Sequence, residues 1–156
     1  MALHDEDERR KVTYDEARAV LEAQRETLSD MDTKAVRTVR ITVVLIGALL
    51  SVWQIESELF EPVFAGMGGV ALVGSLVAGT FTYSESDLYL GPNKKYVEQL
   101  ADGDFGEKDW ERDLLYSFGE WIDSNDREIR VFSTLLVLTQ VLLLCGIVLI
   151  GLSVVL

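Results

Sequence analysis

Three stretches of the chain contain no Asp, Glu, Lys or Arg: residues 41–55, 62–84 and 132–156. A bilayer's hydrocarbon core, about 30 Å thick, takes roughly 20 apolar residues of helix to cross. The second and third stretches reach that length unaided. The first reaches it when its helix begins near residue 36, with Arg37 and Arg40 extending their charged heads to the headgroups. An apolar content of 49% also occurs in soluble proteins, so the clustering decides the class. A chain of 156 residues cannot cover three such helices with a soluble shell. The expectation is an all-α integral membrane protein with transmembrane helices at 36–55, 62–84 and 132–156.

Lys and Arg set the orientation, because positive charge near the ends of spans stays in the cytoplasm. Eight of the 14 lie before residue 41 and the other six lie between residues 84 and 131, including Lys94, Lys95, Arg127 and Arg130. The link at 56–61 has none. This places the N-terminus inside, the C-terminus outside and the bulk of the polar chain in the cytoplasm, at the cell (plasma) membrane. The first 40 residues are too long and too charged for a cleavable leader, so the first span is expected to serve as its own insertion signal.

The formal net charge is −12. So acidic a chain suits high ionic strength, where screening removes most of the self-repulsion, and points to a halophilic source. It also excludes nucleic acid as a partner, since no basic stripe is present.

Residues 1–11 alternate acids and then bases in a block that reads as a mobile charged tail. From residue 12 onward the chain reads as a single membrane domain. Its cytoplasmic helix, 12–40, carries a heptad seam at Tyr14, Ala17, Leu21, Gln24, Leu28, Met31, Ala35 and Thr38. The seam continues into the first span at Thr42, Leu45, Leu49 and Val52. In the cytoplasmic segment 85–131, Gly91-Pro92 marks a break and Asn93 begins a short helix. Asp102-Gly103-Asp104-Phe105-Gly106 is a turn signal. A further helix from Glu107 presents Trp110, Leu114, Phe118, Trp121, Asn125 and Ile129 along one face. Two stalk helices of similar length are expected to bury these faces against each other.

Ala71, Ser75 and Gly79 recur every fourth residue in the second span, a spacing that lets helices approach closely in lipid. Gly47 and Ser51 in the first span are the expected receiving surface within one monomer, with contact between monomers as the alternative. Gln140 lies within the third span and should bond a neighbouring helix rather than face lipid. Cys145 is the only cysteine, so no internal disulfide exists, and packing is its expected role.

Nothing in the chain has the pattern of a catalytic site. The sole histidine, His4, lies in the charged block, and no Ser-His-Asp set, Cys-X-X-Cys or phosphate-cradling glycine loop occurs. Neither an enzyme nor a cofactor or metal is expected. Glu56, Glu58 and Glu61 crowd the outer link, where an oligomer would gather them into an acidic ring at a pore mouth. An ordinary acidic loop of a halophilic protein is the favoured explanation. Lys94 and Lys95 at a helix start suit an anion such as phosphate, or anionic lipid headgroups. Counting the first span from Ile41, no charge lies inside the spans, which disfavours a pump or ion-coupled transporter.

The run from Leu21-Glu22-Ala23-Gln24 through Asp32-Thr33-Lys34-Ala35 into an apolar helix resembles the membrane module of Pycsar effectors, prokaryotic anti-phage proteins that answer cyclic pyrimidine nucleotides. Ser86-Asp87-Leu88-Tyr89 after the second span looks like that family's Ser-X-X-Tyr stretch, and a helical segment leading to a last span is shared. The chain lacks room for the nucleotide-sensing domain such effectors carry or work with, and Arg130-Val131 stands where the family has a Lys-Tyr pair. The resemblance implies an oligomeric effector whose activation compromises the membrane, triggered by a nucleotide or a protein. A structural or accessory subunit of a membrane complex is the alternative.

Overall fold

In the computed structural model, the described residues are 2–84, 91–92, 94–101 and 109–156, with side chains for 8–82, 91–92, 94–98 and 110–156. They form helices and no strand: α1 (Ala2–Ile55), a 3-10 turn (Ser57–Leu59), α2 (Pro62–Ser84), α3 (Lys94–Ala101) and α4 (Asp109–Val155). Three of these helices, α1, α2 and α4, are long and apolar enough to cross a membrane.

Helix α1 has no proline and no glycine before Gly47, which accounts for its unbroken 54 residues. It begins at Ala2, so the charged block at 1–11, expected as a tail, is helical from residue 2. In the sequence, Asp5, Glu6 and Asp7 stand four residues before Arg9, Arg10 and Lys11, a spacing that supports a helix.

The chain divides into two compact units. The first comprises Met1–Leu28 and Asp87–Ile129, the second Ser29–Ser86 and Arg130–Leu156. Helices α1 and α4 each contribute residues to both.

The core of the first unit is Leu21, Leu114 and Phe118, packed by Tyr14, Ala17, Tyr96, Trp110, Trp121 and Ile122. Phe118 meets Tyr14 and Trp121 edge-on, with ring centroids 5.4 and 5.3 Å apart. Such contacts add about 0.5–1.5 kcal/mol beyond burial.

In the second unit the interior follows a period of seven. Ala35 and Thr42 of α1, Ala65, Leu72 and Gly79 of α2, and Phe132, Thr139, Gly146 and Ser153 of α4 are all buried. The opposite faces carry large apolar side chains in the open, among them Val44, Val70 and Leu144. An outward apolar surface is what lipid contact requires.

Candidate functional site

The stalk seam is built around an amide pair. Asn125 is 1% exposed, and its Nδ2 donates to Gln24 Oε1 at 3.3 Å. Gln24 Nε2 in turn donates to the carbonyl of Ile122 at 3.1 Å. The two amides thereby satisfy each other inside an apolar interface, where an unmet polar group is costly. Leu28 is also buried, and Met31, Trp110, Trp121 and Ile129 are half-buried. At the far end Arg10 Nη1 sits 3.4 Å from Glu111 Oε2, and both are well exposed, so the pair adds little stability.

Tyr96 of α3 joins this cluster beside Asp113. Burial, and then the Asp113 carboxylate, push its hydroxyl above the usual tyrosine range. Lys94 reaches Glu98 one turn on at 3.5 Å, while Lys95 is exposed. The anion site expected at these lysines thus has one cation already engaged within its own helix. The Ser86-Asp87-Leu88-Tyr89 stretch and the Asp102–Gly106 turn signal lie outside the described residues.

Within the second unit, the ridge of small residues on α2 meets α4. Ser75 Oγ donates to the Thr139 carbonyl at 2.8 Å. A Cβ added at Gly79 would lie 2.7 Å from Val39 Cγ2 and 3.1 Å from Thr139 Cγ2. Gly68 and Gly146 also bring α2 and α4 close, a Cβ at Gly68 lying 3.1 Å from the Gly146 carbonyl. A Cβ at Gly146 would meet Leu72 Cδ2 at 2.7 Å and the Gly68 carbonyl at 3.2 Å. Ala71 is half-buried.

Gly47 and Ser51 do not receive that ridge in the monomer. Both are exposed, nothing stands within 4 Å of a Cβ at Gly47, and the Ser51 hydroxyl turns back to the Gly47 carbonyl at 2.8 Å. The physical reason is that α4 offers a matching groove: Thr139, Gly146 and Ser153 are small and seven residues apart. That seven-residue spacing is the mark of Gly146 in the sequence, less conspicuous than the four-residue spacing in α2.

Gln140 also departs from expectation. It is exposed, eight residues into the apolar segment of α4, and makes no hydrogen bond among the described residues. The hydroxyls nearby differ in this respect. Thr38, Thr42, Thr82, Thr134 and Thr139 each donate to a carbonyl four residues back in the same helix.

At the link, Glu61 acts as an N-cap. Its Oε2 accepts from the Phe64 amide at 2.9 Å, with Pro62 at the first helical position where its missing N–H costs nothing. The Glu61 amide donates to the Ser153 carbonyl at 2.8 Å, and Trp53 stacks on Phe60 with centroids 5.6 Å apart. Glu56 and Glu58 are exposed. Capping gives Glu61 a local role, which leaves two acids of the three free to face solvent. Cys145 is an exposed free thiol. Among the described residues, no three His, Cys, Asp or Glu side chains gather to hold a metal.

No protein-family model matches the chain, and no curated protein or solved structure matches it either.

Proposed function

We propose that the protein is a membrane effector that works as a homo-oligomer, with the helical stalk as its sensing part and the three spans as its actuator. In this reading the N-terminus and stalk are cytoplasmic and the C-terminus lies at the outer face. The pattern of Lys and Arg supports that sidedness. The sequence resemblance to the Pycsar membrane module supports an effector in anti-phage defence, answering a nucleotide or protein trigger.

One observation carries the oligomer: the exposed amide of Gln140. It lies about 12 Å into the apolar segment, at 1.5 Å per residue. Around it stand exposed Val137, Val141 and Leu144. An unmet amide in hydrocarbon costs several kcal/mol. A primary amide both donates and accepts, so the same residue on a second copy satisfies it. Gly151, three turns further along the same face and open to 4 Å, permits the helices to close together.

The test is the detergent-corrected mass of the purified chain and of Gln140→Leu and Gln140→Asn. A discrete wild-type oligomer that Gln140→Leu dissociates and Gln140→Asn retains is the expected result. A monomeric wild type sinks the effector reading. It leaves the accessory-subunit reading, in which a different protein's helix meets Gln140.

A further inference from the structure

A cavity of about 440 Å³ lies wholly within the stalk unit. Its floor is apolar: Leu21 and Phe118 are buried, and half-buried Tyr14 stands edge-on to Phe118. Gly91 and Pro92 form one wall. Gly91 has φ of 150°, which only glycine adopts without strain, and Pro92 fixes its own φ. Helix α1 also lines it, with Arg18, Glu22 and Arg25 at successive turns.

Those two arginines stand out in a chain of net charge −12. They are seven residues apart, about 10 Å along one helix face. Glu22 lies between them at the spacings that favour ion pairs, yet neither arginine pairs with it or with any other acid among the described residues. A second cavity nearby, lined by Arg10, Lys11, Tyr14 and Trp110, differs in that Arg10 is already paired with Glu111. Volumes of this order hold small organic ligands, and apolar walls with a few charged groups fix their orientation.

We propose that this cavity binds a soluble organic anion with an aromatic body, its anionic group held between Arg18 and Arg25 and its ring lying against Leu21, Tyr14 and Phe118. Planar guanidinium groups suit phosphate, sulfonate or carboxylate. The apolar floor demands a ring as well, so a bare inorganic anion is a poor occupant. The inference deepens the reading of the stalk as a sensor and rests on it for its purpose, but binding here needs no oligomer.

The experiment is calorimetric titration of the full chain in uncharged detergent at low salt, with protein-free micelles as the blank. The probes are 2-naphthyl phosphate, inorganic phosphate and 2-naphthol. Naphthyl phosphate should bind at least about tenfold more tightly than either part alone. The double substitution Arg18→Gln with Arg25→Gln should weaken it by about tenfold or more. Glu22→Gln should strengthen it, because the competing carboxylate on the rim is gone. The monomeric Gln140→Leu protein should bind as well as wild type, so a failed oligomer test and a failed pocket remain distinguishable. No heat above the blank, or equal binding by the double arginine variant with its helix content intact, would overturn the proposal. Indifference to Glu22→Gln would also overturn it, since a rim that holds the anion must feel that charge.

Discussion

The residues that set helix spacing in the second unit are the ones with the least side chain. At Gly146 an added methyl meets Leu72 and a backbone carbonyl together, and the carbonyl cannot rotate away. Gly146→Ala is therefore expected to destabilise the protein by about 1–3 kcal/mol, the usual cost of overpacking. Gly66→Ala, where a Cβ meets nothing within 4 Å, should leave stability within about 0.5 kcal/mol. Thermal melts of both variants in one detergent decide this, and equal loss in both would contradict the close approach at Gly146. Asp32 shows a different kind of residue-scale constraint. Burial raises its carboxyl above the usual value of 3.8, so the folded protein prefers the protonated form. A raised folded-state pKa means its contribution to stability is full below 3.8 and is lost as pH rises through the shifted value. Asp32→Asn should thus match wild type in acid and melt higher at neutral pH. A constant difference across that range would show that desolvation of the carboxylate is not the cause.

Among the elements, the seams of α1 and α4 differ in how their core positions are filled. The stalk seam of α1 was legible because Leu21, Leu28 and Ala35 repeat every seven residues, and a heptad of apolar residues has few other uses. The aromatic face of α4 was legible for the same reason. The partner of the α2 ridge was not. Small residues show that a face permits close approach, but any apolar surface can fill it, and Gly47 with Ser51 looked as suitable as Thr139 with Gly146. Nor did the sequence distinguish Arg18 and Arg25 from other solvated charges on α1, because the Gly91-Pro92 wall beside them comes from a distant part of the chain. The amide pair tests the seam itself. Asn125→Ala leaves Gln24 Oε1 without its donor and should cost about 1–3 kcal/mol. Replacing both amides, with Gln24→Leu and Asn125→Leu together, should restore most of that stability while loosening the register, as polar core residues do in coiled coils. A double variant as unstable as Asn125→Ala would mean the amides are held by something other than each other.

For the whole molecule, the decisive property is which side of the bilayer each end occupies, because it determines whether the stalk meets cytoplasmic or external ligands. The link at 56–61 and the chain end near Leu156 lie together, the Glu61 amide donating to the Ser153 carbonyl, and each follows a helix with the length and hydropathy of a span, so the proposed topology puts both on one side. In the proposed orientation, charge supplies the direction. All 14 Lys and Arg lie outside the link and the three apolar segments, on the stalk side of each. Insertion machinery retains such charges in the cytoplasm. With Cys145→Ala as background, Ser57→Cys should react with a membrane-impermeant maleimide on intact cells. Ser29→Cys, exposed on α1 before the first apolar segment, should react only after the cells are opened. The reverse pattern would put the stalk and its arginine-lined cavity outside the cell and exclude a cytoplasmic trigger. Equal labelling of both sites on intact cells would mean that the apolar helices do not separate the two compartments, which removes the three-span topology along with the orientation.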